Sequence, residues 1–269
     1  MRIGSRDFAT TGHTYIMGIL NVTPDSFSDG GKFDQIDAAL KHAEEMIRDG
    51  ADVIDVGGES TRPGYTKISD EEETDRVVPV IEAVKKEFGI PISVDTYKSG
   101  VAEAAAQAGA DLINDIWGLK YDPHMAEVIA KSGLACCLMH NRDNTEYRNF
   151  MEDVKQDLRE TIALAKAAGI ADDKIILDPG VGFAKSYENN LEVIRRLKEF
   201  NELKYPVLLG TSRKSVIGLT LDLPAAERVE GTIVTTVMAV EAGCMFVRVH
   251  DVKENHRAIQ MAEAILDGK

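Results

Sequence analysis

Four polar residues each stand just past a short apolar run: Asp95, Asn114, Asp178 and His250. A fifth, Arg248, lies inside the last run, two residues before His250. On an extended strand, residues two apart point to the same side. A carboxylate among apolar strands is costly to bury unless it has partners. Two carboxylates, an amide, a guanidinium and an imidazole on separate runs therefore point to convergence on a polar ligand. Helix capping is the plainer role for Asp95 or Asp178 taken singly. It accounts poorly for the whole set. Two further runs carry chemistry. Residues 210–215, Gly-Thr-Ser-Arg-Lys-Ser, end one apolar run and open a helical stretch, where backbone N–H groups favour anions. Residues 21–31, Asn-Val-Thr-Pro-Asp-Ser-Phe-Ser-Asp-Gly-Gly, place an Asn at the root of a polar loop that holds Phe27 and several hydroxyls.

The elements that must position these residues repeat along the chain. Continuously apolar runs at 15–20, 51–56, 92–94, 112–113, 134–139, 175–177, 207–209 and 245–249 read as buried parallel strands. Helical patterns lie at 34–49, 70–88, 98–108, 125–131, 151–168 and from after 251 to about 266. They rest on spacings such as Val77, Val80, Ile81 and Val84, and on Ala-rich stretches. Gly50, Gly109, Gly133, Gly169 and Gly243 fall between helix and strand, where a helix C-cap favours glycine. Eight strand-plus-helix units predict a TIM (β/α)8 barrel forming one domain over residues 1–269. In that fold, catalytic groups sit at the C-terminal ends of the strands.

Composition narrows the function. The chain has 269 residues, 44% of them hydrophobic, enough for one large core. Its net charge of -14 repels polyanions, so nucleic acid is not an expected partner. No apolar run approaches the ~20 residues needed to span a bilayer, and residues 1–10 carry no signal-peptide core. No membrane partner and a cytoplasmic location are expected. Cys136, Cys137 and Cys244 lie in apolar runs without ligand spacing and read as buried free thiols. His13, His42, His124, His140 and His256 lack metal-ligand spacing. Most of them read as surface or helix-end side chains.

The 21–31 run, the strand-end residues and the 210–215 run together resemble the dihydropteroate synthases, over almost the whole chain. The resemblance implies the joining of (7,8-dihydropterin-6-yl)methyl diphosphate to 4-aminobenzoate, giving 7,8-dihydropteroate and diphosphate for folate biosynthesis. It implies that Asp95, Asn114, Asp178 and Lys214 hydrogen-bond the pterin. A carboxylate can accept from the pterin amino and ring N–H groups, while Asn and Lys donate to its oxo group and ring nitrogens. Ile116, Met139 and Phe183 would cover the ring faces. Phe27, Thr61, Pro63, Phe183 and Ser215 would form the 4-aminobenzoate side. Asn21, Arg62, Arg248 and His250 would meet the diphosphate, with Asn21 also a ligand to Mg²⁺. Asp95, Lys214, Arg248 and His250 are the expected catalytic set. The loops at 21–32 and 57–68 match the family's two active-site loops, and a homodimer is expected. No Ser-His-Asp arrangement or catalytic Cys suggests a covalent intermediate. Two rivals share part of the pattern. One is a folate-dependent corrinoid methyltransferase; the other is a non-catalytic pterin-binding paralogue.

The chain departs from the family pattern in three places. Ala184-Lys185 stands where Gly-Lys is usual, and Ala admits fewer backbone angles. Residues 141–144, Asn-Arg-Asp-Asn, replace a stretch that often contains Met or Gln. The 227–232 stretch matches only loosely.

Overall fold

The computed structural model describes residues 1–23, 32–60 and 66–267. Ten strands are formed among them. Two make a short N-terminal hairpin, β1 (Arg2–Ile3) and β2 (Arg6–Asp7), and eight make the main sheet. The sheet strands are β3 (Tyr15–Asn21), β4 (Val53–Gly57), β5 (Ile92–Asp95), β6 (Leu112–Asp115), β7 (Ala135–Met139), β8 (Ile175–Asp178), β9 (Leu208–Leu209) and β10 (Phe246–Val249). All pair in parallel, in the order β8-β7-β6-β5-β4-β3-β10-β9. A parallel bridge between Leu177 and Val207 joins the two ends of that order. The sheet therefore curls into a nearly closed eight-stranded barrel, as the alternating pattern predicts.

Helices cover the outside. They are α1 (Lys32–Asp49), α2 (Asp70–Phe88), α3 (Ser99–Ala108), α4 (Met125–Ser132), α5 (Phe150–Ala167), α6 (Tyr187–Arg195), α7 (Ser215–Leu221), α8 (Val229–Ala242) and α9 (Val252–Asp267). The periodicity behind α2 is visible in its buried face, Val77, Val80, Ile81 and Val84. Its start is fixed by Ser69, whose hydroxyl accepts from the Glu72 N–H at 3.1 Å. Helix α3 ends at Gly109, in the left-handed region at φ 106°, where the glycine N–H donates back into the last turn.

Two cores result. The larger fills the layer between sheet and helices. The smaller lies inside the barrel floor and includes Met17, Val53, Leu112, Ile176 and Phe246. The hairpin closes that floor from below. Ile3 and Phe8 are buried there, and the Phe8 ring meets Tyr15 edge-on at 4.8 Å and Phe246 at 5.5 Å. The polar character of residues 1–10 hides this plug, because two-residue strands are too short to show a period. With the floor filled by apolar side chains, the polar interior opens only at the C-terminal ends of the strands. Truncating Phe8 to Ala should lower unfolding free energy by about 3 kcal/mol through the cavity it leaves. Urea denaturation checks this, and a loss under roughly 1 kcal/mol would mean that the plug is not part of the core.

Candidate active site

At the C-terminal mouth lies a cavity of about 520 Å³. Its wall includes Asn21, Asp95, Phe183, Lys214, Arg248 and His250, six of the residues singled out by sequence. Ser215 joins them, and Ser212, Arg228 and Glu59 are additions that the sequence reading did not make.

Arg248 organises the base of the cavity. It reaches across from β10, and its Nε donates to Asp55 Oδ2 at 2.6 Å. Its Nη2 donates to Asp95 Oδ2, also at 2.6 Å. Strand register explains the reach, since β4 carries Asp55 next to Ser93 of β5 and places Gly57 beside Asp95. Asp55 is fully buried, and Asn114 donates to the same oxygen at a long 3.5 Å. Asp55 is the main residue missed by sequence. The available signal was a carboxylate inside the otherwise apolar run 51–56, which also holds Asp52 near its start. Among the described residues, three buried polar atoms lack a hydrogen-bond partner: Asp55 Oδ1, Asp95 Oδ1 and Ser93 Oγ. An orphaned carboxylate oxygen at a cavity wall is an unmet demand for a donor.

The second half of the site gathers over Gly210. A Cβ built there would lie 3.5 Å from Asp178 Oδ2, 3.8 Å from Lys214 Nζ and 4.0 Å from Arg248 Cβ. The missing side chain thus leaves room for three charged groups to converge. Lys214 Nζ donates to the Val181 carbonyl at 2.5 Å and sits 4.8 Å from the Phe183 ring centre. Asp178 Oδ1 accepts from the Gly180 N–H at 2.7 Å. Ile116 and Met139 form a small buried cluster with Tyr97, against which Trp117 and Phe183 pack. This cluster is separate from both main cores.

At the rim, His250 Nδ1 and Ser212 Oγ are 2.9 Å apart, and the His250 N–H donates to the same hydroxyl at 3.1 Å. Arg213 sits at φ 57° and is gripped by Asp251 through two bonds of 3.0 and 2.5 Å. That grip orients the turn that presents Lys214 and Ser215. Phe27, Thr61, Arg62 and Pro63 lie outside the described residues. Of the five scattered histidines, His13, His42 and His124 are exposed, whereas His140 is buried. Burial draws it down to about 4 despite its bond to Asp157. The three cysteines are buried and free as expected, and burial pushes the Cys244 thiol up to about 12.

Among the described residues, no group of three or more His, Cys, Asp or Glu could hold a metal ion. The donor set at the mouth suits a different kind of metal. A Cβ on Gly57 would lie 3.6 Å from Asn21 Oδ1 and 3.8 Å from Asp95 Oδ2, so a hard amide oxygen faces the cavity beside a carboxylate. One such oxygen fits Mg²⁺ that keeps its waters and arrives with phosphate oxygens.

Known proteins resemble this chain over nearly its whole length. The family model described as pterin binding enzyme matches residues 17–250. The dihydropteroate synthase of Clostridium beijerinckii is 62% identical over 267 residues, 99% of each chain. The chain belongs to the dihydropteroate synthase family. A family member from Clostridium difficile, solved in the presence of pteroic acid, superposes with a TM-score of 0.92 at 52% identity, covering 98% of both chains. The Yersinia pestis dihydropteroate synthase in a sulfonamide drug complex gives 0.93 at 42% identity, covering 99% of both.

The cluster's charges oppose one another at neutral pH. Burial pushes Asp95 up to about 7; Arg248 pulls it back, and Asp55 and Glu73 push it further up. Burial likewise raises Asp178 against the pull of Lys214. Burial lowers Lys214 to about 8, with Asp178 opposing. A carboxyl raised in the folded state keeps a proton that the unfolded chain has lost. Its contribution to stability is therefore largest at low pH and falls as pH rises from about 4 to about 7. Wild type should accordingly lose stability relative to Asp95→Asn between about pH 5 and about pH 7.5. Urea midpoints at both pH values test this, and a difference that does not change with pH contradicts it.

Proposed function

We propose that the cavity binds (7,8-dihydropterin-6-yl)methyl diphosphate and 4-aminobenzoate together within one catalytic domain. The reaction is that of the dihydropteroate synthase family, transfer of the dihydropterin-methyl group to the aniline nitrogen with release of diphosphate. The observation that carries this reading is the set of buried Asp95, Asn114 and Asp178 with half-buried Lys214, beside the Ile116–Met139–Phe183 cluster. A flat heterocycle with N–H groups on one edge needs such a combination.

The unpartnered Asp95 oxygen and the Asp178 carboxylate would accept from the pterin amino and ring N–H groups. Asn114 and Lys214 would donate to the oxo group and a ring nitrogen. Ile116, Met139 and Phe183 would cover the ring. Ionisation of the carbon–oxygen bond leaves a cation delocalised into the electron-rich dihydropterin. Two carboxylates against the ring favour that charge. Arg248 and His250 face the departing diphosphate, and the resemblance adds Arg62 and Asn21. Bound Mg²⁺ would neutralise charge on the leaving group. Asn21 would orient the metal–diphosphate unit, without a protein cage of ligands. Ser215, at the exposed rim, and Phe183 would meet 4-aminobenzoate, joined by Phe27, Thr61 and Pro63. The neutral aniline attacks without a strong base. Exclusion of water protects the cation from hydrolysis. The proposal includes a homodimer in the cytoplasm. No helix among the described residues is long and apolar enough to cross a membrane.

The test is phosphate release, coupled through pyrophosphatase, from the pterin diphosphate with Mg²⁺. Release should require 4-aminobenzoate and yield dihydropteroate. Lys214→Ala should lower kcat/KM by roughly a hundredfold or more, as for loss of a buried charged donor. A sulfonamide should compete with 4-aminobenzoate. Pterin binding without release would favour the non-catalytic reading, and methyl transfer to a corrinoid protein would favour the methyltransferase.

A further inference from the structure

Lys185 is not part of the cavity wall, yet its ammonium is tied to the turn that follows β8. Nζ donates to the Gly180 carbonyl at 2.9 Å, the Phe183 carbonyl at 3.0 Å and His140 Nδ1 at 2.8 Å. An ammonium has three donors and no acceptor. Nδ1 of His140 must then accept, which leaves Nε2–H to donate to Asp157 Oδ2 at 2.9 Å. Arg142 holds Asp157 from the other side with bonds of 2.5 and 3.1 Å. The chain of contacts thus runs from helix α5, through His140, to the turn.

That turn carries three features of the proposed pterin side. Gly180 N–H fixes Asp178, the Val181 carbonyl fixes Lys214, and Phe183 covers the ring cluster. Its backbone enters the left-handed region three times, freely at the glycines and at a cost only at Ala184. Gly180 lies at φ 71°, Gly182 at φ 87° and Ala184 at φ 47°. For Ala184 the left-handed region costs roughly 1–2 kcal/mol. A Cβ at Gly180 would meet the His140 carbonyl at 2.0 Å. Such a turn needs an external hold, and two of its carbonyls point at one ammonium. Although the residue as a whole is half-buried, burial around Nζ draws Lys185 down to about 7, with Asp178 and Asp157 raising it and Lys214 and Arg142 lowering it.

We propose that Lys185 is a positioning residue for the pterin: by gathering the Gly180 and Phe183 carbonyls against His140, it holds the turn through which Asp178, Lys214 and Phe183 are aligned. The inference rests on the pterin reading of the site. The aniline side does not pass through this turn except at Phe183, so the two substrates should respond differently.

The experiment is steady-state kinetics of wild type, Lys185→Met and Lys185→Gln, with circular dichroism and thermal unfolding of each. Turnover by wild type establishes the functional reading independently of either variant. In Lys185→Met, the KM for the pterin diphosphate should rise roughly tenfold or more, as for misplacement of aligned groups. The KM for 4-aminobenzoate at saturating pterin should stay within about twofold, the mark of a loss confined to one substrate. Lys185→Gln, which keeps an amide donor, should fall between wild type and Lys185→Met. Equal changes in both KM values, or an unchanged pterin KM in a folded variant, overturn the proposal. So does failure of both variants to fold, since that makes Lys185 a residue of the fold alone.

Discussion

The site depends on one buried guanidinium. Arg248 bridges Asp55 and Asp95 across the barrel interior, and the rest of the charge pattern follows from that bridge. Burial alone would lower Arg248, but the two carboxylates more than offset it and hold it above its ordinary value. Removing one partner of such a pair costs about 3–5 kcal/mol, because the other charge is left buried and alone. The bridge still leaves one oxygen of each carboxylate without a donor. The barrel therefore holds a polar cluster that the protein itself only half satisfies. A ligand bearing donors and positive character would supply what is missing.

The fold makes this arrangement tolerable. Apolar side chains and the N-terminal plug close the floor, so the cluster meets solvent only at the mouth. Asp55, Asp95, Asp178 and Arg248 come from four different strands, which fixes their spacing through register, and Lys214 joins them from the turn after β9. Gly57 and Gly210 leave the space into which Asn21, Asp95, Asp178 and Lys214 converge. The cost is electrostatic strain in the free protein, seen in the opposed shifts of Asp95 and Lys214. On the proposed reading, stability is given up where a bound pterin would restore it.

Much of this was legible before any coordinates. Strand ends are marked by an abrupt switch from apolar to polar, so Asp95, Asn114 and Asp178 announced themselves. Lys214 and Ser215 were legible because their neighbours form a specific run. Asp55 was not, since the run 51–56 holds two carboxylates, Asp52 and Asp55, and its pattern alone does not say which one faces the barrel interior. The Lys185–His140–Asp157 connection was also hidden. Its members are 45 and 17 residues apart, and only the packing of β7, α5 and the 180–185 turn brings them together. The hairpin β1–β2 escaped because two-residue strands have no period. Ala184 was noted as a departure, and its left-handed φ gives that departure a physical meaning.

The central claim is that buried strand-end carboxylates receive a pterin. Calorimetric titration of the pterin diphosphate with Mg²⁺ into wild type and Asp178→Asn tests it most directly. The account predicts binding weakened by roughly a hundredfold in the variant, the loss of charged hydrogen bonds of about 2–3 kcal/mol. Equal affinity in both proteins, with the variant folded, would contradict it.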